Sequence, residues 1–248
     1  AREGTTLNNI GLVYDIQGNY IEALRYYEES LSIRREVGDR AREGSTLNNI
    51  GLVYDAQGNY IEALRHYEES LAILREVGDR AGEGTTLSNI GSVYENQDDD
   101  NQALEYYIQA LAIAQDIGDR RGEGIRLSKI AGIYDAQDQN ERALEYYQQA
   151  LAVAQSLGNR STEGFRTYLI GTVYVELARY SEALETLQQA FSIMKELGEE
   201  DLMQRAQGWM KDALDGIRDN NSETDYQQQC QTVSQTTGIP SDELCPAE

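Results

Sequence analysis

The feature that most constrains this chain is a period of 40 residues. Residues 1–40 and 41–80 differ only at Thr5/Ser45, Ile16/Ala56, Tyr26/His66, Ser32/Ala72 and Arg34/Leu74, and three further copies follow in register from Ala81, Arg121 and Ser161. One column holds Gly4, Gly44, Gly84, Gly124 and Gly164; another holds Tyr14, Tyr54, Tyr94, Tyr134 and Tyr174. A fixed period of this length means a stack of similar units, each packed on its neighbours, in place of one closed core.

Within one copy, Leu7, Ile10, Gly11 and Tyr14 fall at i, i+3, i+4 and i+7, the spacing of one face of a helix A from about Arg2 to Gln17. Gly18 supplies a residue that adopts positive φ where that helix stops, and Asn19 with Glu22 has the spacing of a capping box, repeated as Asn59 and Glu62. Helix B then carries Ala23, Leu24, Tyr27, Leu31 and Val37 on its apolar stripe, ends at Gly38, and hands over to Asp39 as the next N-cap. Each copy is predicted to be a helical hairpin, and a chain with only 2 prolines has little to break it. Gly11, Gly51, Gly91 and Gly171, with Ala131, sit in mid-helix at a cost of up to about 1 kcal/mol each. That cost predicts close helix approach, with Ala23 and its equivalents as the neighbours. Tyr14 and Tyr27 read as core fillers with a hydroxyl at the rim.

Leu7, Ile10-Gly11, Tyr14, Ala23, Tyr27 and the small residue at Ser30 or Ala110 resemble the tetratricopeptide repeat (TPR) signature, in five copies over residues 1–200. The long period, against about 34 residues in the common form, the Gly38-Asp39-Arg40 linker in place of proline, and the run Thr6-Leu7-Asn8-Asn9-Ile10-Gly11 are similar to the long-repeat branch of kinesin light chains, Pins/LGN-type adaptors and bacterial multi-repeat TPR proteins. The resemblance implies an all-α, right-handed α-solenoid of five hairpins (1–40, 41–80, 81–120, 121–160 and 161–200), with A helices lining a concave groove and B helices forming the outer wall.

After Gly198 the pattern frays. Residues 201–218 read as a capping helix with Leu202, Ala206, Trp209, Met210, Ala213 and Leu214 on one face. Residues 219–248 hold six acidic and no basic side chains and read as an acidic polar tail, mobile, with a short helix from Asp225 to Val233 as an option. Cys230 and Cys245 lie there; a disulfide and two free thiols both fit the spacing.

Several functions are excluded by composition. A net charge of −22 repels nucleic-acid phosphates and anionic membranes, which leaves neutral or basic polypeptides as partners. No run of about 18 apolar residues spans a bilayer, and a leaderless, thiol-poor chain points to the cytoplasm. The one histidine, His66, occupies a column otherwise held by Tyr26, Tyr106, Tyr146 and Thr186, so it reads as a structural substitution; no nucleophile–histidine set, metal cluster or phosphate loop can be assembled. Neither catalysis, cofactor nor metal is expected.

The groove positions implied by the resemblance are Thr5, Asn8, Asn9, Leu12, Asp15 and Ile16 in the first copy. Down the array they give an amide column of Asn8, Asn9, Asn48, Asn49 and Asn89, succeeded by Lys129, and an acidic column of Asp15, Asp55, Glu95 and Asp135. Asn is a poor helix former, so its recurrence reflects either pairing with a peptide backbone or simple inheritance by duplication. Phe165 and Tyr168 offer an apolar anchor or, equally, packing against the capping helix. A chaperone-tail carboxylate clamp is disfavoured, because of Asn8, Leu12, Asn49, Thr85 and Asn89 only Asn49 matches it. The expectation is a non-catalytic scaffold holding an extended, neutral to basic peptide with an apolar anchor. The alternatives are a sensor array from a larger protein with a protease-like or kinase effector, since Ala1 begins inside a repeat, and self-association through exposed helices.

Overall fold

The computed structural model describes residues 2–220 and 223–245; residues 1, 221–222 and 246–248, which fall in the expected first repeat and tail, lie outside the described residues. The described residues form helices and connecting turns, with no strand. The chain divides into two compact units, 1–119 and 120–248.

The first unit holds three hairpins: α1 (Arg2–Ile16) with α2 (Tyr20–Glu36), α3 (Arg40–Ala56) with α4 (Tyr60–Val77), and α5 (Arg80–Asn96) with α6 (Asp100–Asp116). Each A helix stops where a residue turns into positive φ, +71° at Gly18, and the next begins at a side-chain cap: Asn19 Oδ1 accepts from the Glu22 N–H at 3.4 Å. Asp39, Asp79 and Asp99 cap their helices likewise, whereas Asn59 occupies the cap without that bond. Expected and observed boundaries agree to within about a turn. Val37 departs from the expected stripe: it is the C-cap of α2 and stays exposed.

Packing explains the glycine column. A Cβ built on Gly51 would lie 2.6 Å from the Tyr67 ring, and one on Gly11 2.8 Å from Tyr27. In this unit the mid-helix glycines therefore make room for the aromatic ring of helix B, and at Gly91 also for Ala103, whose carbonyl oxygen would lie 3.3 Å from the added Cβ. In return Tyr27, Tyr67 and Tyr107 are wholly buried. Ser30 and Ser70 donate to the Gly4 and Gly44 carbonyls at 2.7 and 2.8 Å, tying the two helices of a hairpin at their other end. Successive hairpins join through Leu31, Leu47, Ile50 and Val53, and again through Leu71, Leu87, Ile90 and Val93. Tyr14 stacks on Tyr26 with ring centroids 5.4 Å apart, and Tyr94 on Tyr106 at 5.5 Å. His66 keeps that stack on Tyr54 at 5.4 Å, as a structural substitution should.

The second unit holds α7 (Arg120–Ala136) with α8 (Asn140–Ser156), α9 (Arg160–Glu176) with α10 (Tyr180–Leu197), then α11 (Glu200–Asn220), α12 (Glu223–Thr237) and α13 (Ser241–Leu244). The capping helix expected over 201–218 is α11, which packs Ala206, Met210, Ala213, Leu214 and Ile217 against Leu187, Phe191 and Met194. The described part of the expected mobile tail is instead folded. Tyr226, Cys230, Val233, Ile239 and Leu244 enter the same core, and a disulfide joins Cys230 to Cys245. Tyr226, Cys230 and Val233 stand at i, i+4 and i+7, one face of α12; the Gln, Ser and Thr around them masked that signal. Among the described residues no helix is long and apolar enough to cross a membrane.

Candidate functional site

The two asparagines of each A helix do different jobs. Asn8 Oδ1 accepts from Thr46 Oγ1 at 3.2 Å and Asn49 Nδ2 at 3.4 Å, and one hairpin further on Asn48 Oδ1 accepts from Thr86 Oγ1 at 3.1 Å and Asn89 Nδ2 at 3.0 Å. Mid-helix asparagine is thus explained by bonds between repeats. Asn48 is only 8% exposed and belongs to the joint, not to a ligand surface as expected; Asn8 engages its carbonyl oxygen in the same joint and is half-buried. Asn9 is exposed, and Asn49 and Asn89 are half-buried. Asn49 and Asn89 each commit one N–H to the ladder and keep a second N–H and the carbonyl oxygen.

Beside this column Leu12 and Leu52 stand 44% and 38% exposed, and Ile16, another expected groove position, is 78% exposed. Beyond them come Asp15, Asp55 and Glu95, half-buried, in the last turn of α1, α3 and α5. Carboxylates there oppose the negative end of the helix dipole, and none of the three helices has a basic residue in its last turn. Burial pushes the Asp15 and Asp55 carboxyls up, the latter eased by a 3.4 Å bond from Asn96 Nδ2. The tyrosine hydroxyl of helix B lies within reach of the charge of each of them. Tyr107 donates to Glu95 Oε2 at 2.5 Å, while the buried hydroxyls of Tyr27 and Tyr67 have no partner. Burial and then the charge of Asp15 push the Tyr27 hydroxyl up to about 12.

The contrast with other acids of this unit is sharp. Glu43, 3% exposed, accepts from Arg35 at 3.0 Å and Arg40 at 2.7 Å, and Glu83 accepts from Arg75 at 2.8 Å and Arg80 at 2.6 Å. Burial pushes both carboxyls up, and the two guanidiniums more than reverse it. That column glues repeat to repeat.

In the second unit Lys129 and Asp135 are half-buried on α7. Asp135 accepts from the Tyr147 hydroxyl at 3.4 Å and shares a hydrogen bond with the Glu176 carboxyl of α9; burial pushes both acids up. Sequence reading missed Glu176, whose only signal is an acid at the position where Asn96 meets Asp55. Tyr168 is 8% exposed and accepts from Trp209 Nε1 at 3.1 Å, so it serves the core under α11 and not a ligand. Phe165 stacks on it with centroids 6.2 Å apart and remains 36% exposed.

Among the described residues no cluster of ligating side chains is arranged to hold a metal ion. A cavity of about 420 Å³ beside Arg35, Arg65, His66 and Glu69 lies on the B-helix side; Arg35 there already pairs with Glu69, and Arg65 with Glu62.

Tetratricopeptide repeat models match residues 2–76 and 82–156, and a further one matches 168–195. The chain belongs to the tetratricopeptide repeat family. Its α-solenoid of TPR hairpins is shared with solved structures of low sequence identity. The STAND protein PH0952 from Pyrococcus horikoshii, described as carrying a TPR sensor, is 18% identical with a TM-score of 0.75; the match covers 96% of this chain but only 36% of that one. A Rap protein solved with Competence and Sporulation Factor is 12% identical with a TM-score of 0.64, covering 95% of this chain and 70% of that one. The nearly identical TPR-like repeats of a putative kinesin light chain from Podosopora anserina are 16% identical with a TM-score of 0.60, covering 84% and 99%. A search of curated proteins found no match to the sequence. As a TPR protein the chain is a protein-interaction scaffold, in a family that is generally non-catalytic.

Proposed function

We propose that this TPR array holds an extended segment of another polypeptide along the A-helix face, without catalysing its conversion. The observation that carries the reading is the order of side chains across α1, α3 and α5: an amide column ending in spare hydrogen-bonding groups at Asn9, Asn49 and Asn89, exposed Leu12 and Leu52, then the acidic column. Amides suit a peptide backbone, leucines suit an apolar side chain, and carboxylates suit basic ones. The Rap protein bound to Competence and Sporulation Factor supports the reading by fold alone. The anchor proposed for the second unit reduces to Phe165, since Tyr168 is committed to the core.

A photo-crosslinking residue placed at Leu52 or, on the opposite side of its hairpin, at Ile61 tests this; both are exposed. Capture from a cell extract followed by peptide mapping should give adducts at position 52 that map to one extended segment, and none at 61. Adducts at 61 alone would remove the proposal.

A second reading is favoured by the STAND neighbour, of which the match covers only about a third: a sensor module within a larger regulatory polypeptide. The cytoplasmic expectation now has an observation against it, because a closed disulfide such as Cys230–Cys245 persists in oxidising surroundings.

A further inference from the structure

The acidic column of the first unit carries more than a general preference for basic ligands. Glu95 and Tyr107 bond to each other at 2.5 Å. At the equivalent places in the two preceding hairpins the acid is aspartate, one methylene shorter, and the hydroxyls of Tyr27 and Tyr67 are buried without a partner. Within this unit the tyrosine hydroxyl is therefore satisfied by the long acid and not by the short one; in the second unit Asp135 meets the Tyr147 hydroxyl, but only at 3.4 Å against 2.5 Å for Glu95. Asp15 and Asp55 are also without the arginine partners that Glu43 and Glu83 each have twice over. Half-buried carboxylates at the negative ends of helices, above orphaned hydroxyls, are an arrangement that costs the fold stability. Such a cost is expected where a site is built for a ligand.

Resting on the peptide-binding reading, we propose that Asp15 with Tyr27, and Asp55 with Tyr67, form two subsites for lysine side chains of the bound segment. An ammonium group has three donors and no acceptor. One goes to the aspartate, one to the phenolic oxygen, which is uncovered as the aspartate turns onto the ligand, and the third to water or to a carbonyl at the helix C-terminus. Glu95 with Tyr107 is the closed form of the same subsite, its place taken by the extra methylene. Neighbouring packed helices lie about 8–10 Å apart, and a segment extended as polyproline II advances about 3.1 Å per residue and presents every third side chain on one face. The two lysines are therefore three residues apart in the ligand.

The experiment uses the full chain and fluorescein-labelled peptides of about thirteen residues, equal in charge, each with four lysines at every third or every fourth position among alanine and serine, and an Nε-acetylated version of the first. Binding is read by fluorescence anisotropy at physiological salt. The peptide with lysine at every third position should bind at least about tenfold more tightly than its acetylated form, and more tightly than the one with lysine at every fourth. D15N with D55N should abolish the difference made by acetylation. Y67F is the discriminating variant: it should weaken binding several-fold while leaving the melting temperature equal or higher, since it removes a hydroxyl that bonds nothing. Equal affinity of the two lysine spacings, unchanged binding by Y67F, or no binding of the lysine peptide to the native chain overturns the proposal. If the acetylated peptide binds as well as the parent, and N49A with N89A weakens both, the lysine subsites fail and the groove reading survives.

Discussion

At the scale of the residue, one backbone conformation and one amide separate structural from functional positions. The loop column filled by Gly18 and Gly58 is held by Ala178 in the last hairpin, at a φ of +54°. An alanine pays a steric penalty there that glycine avoids, partly offset by the greater freedom of an unfolded glycine. Ala178→Gly should raise stability by about 0.5–1 kcal/mol, read from the urea midpoint; a lowered midpoint would contradict it. Asn48 makes the opposite case. Its carbonyl takes bonds from Thr86 and Asn89, so Asn48→Ala should cost about 2–3 kcal/mol by orphaning both. Asn9→Ala, at an exposed position, should stay within about 0.5 kcal/mol of the parent. Equal costs at the two positions would mean that the amide ladder is not what orders the joint.

At the scale of the element, the decisive parts are α12 and α13, which cover the terminal hairpin together with α11. They contribute few apolar side chains, and the disulfide closes a loop with a sequence separation of 15. A loop of that size is worth about 3 kcal/mol in the entropy of the unfolded chain. Reduction should speed amide exchange through residues 223–245 and leave α3 and α4 unchanged. Exchange that rises equally in both places would show that the bond acts globally, against its position at one end. Lys195 reinforces the contact, donating to the Thr237 carbonyl at 3.1 Å.

At the scale of the whole molecule, two sets of carboxyls pull the pH dependence in opposite directions. Asp15, Asp55, Asp135 and Glu176 are pushed up by burial, so the stability they contribute is full below the ordinary carboxylate pKa of about 4 and is lost as pH rises through their folded values. Glu43 and Glu83 are pushed down by their arginine pairs, net of burial, and Asp39 chiefly by its bond from Arg42; their contribution is present above about 4 and lost as pH falls through the lower folded values. With a net charge of −22 relaxing in the same direction as the first set, the melting temperature should rise from pH 7.5 to about 5 and fall below about 4. A steady decline from neutrality would mean that the first set is not strained.

The sequence by itself determined the hairpins, their period and the family, because each of these is a local pattern written five times over. The columns of Asn, Asp and Tyr were legible too, but not which way each member turned. Asn8 and Asn9 are neighbours in the chain, and only the stacking of α3 on α1 assigns the first to the joint and leaves the second to solvent. Tyr168 read equally as an anchor or as packing against the capping helix, and only α11, bringing Trp209 to it from 41 residues away, decides for the second. The folded tail was hidden for the same reason: four or five apolar residues in a polar stretch make no core alone, and their worth depends on a surface that the preceding helices supply. Tertiary structure also set Glu95 on Tyr107 and left the Tyr67 hydroxyl beside Asp55 without a partner, a difference in side-chain placement that no periodicity records.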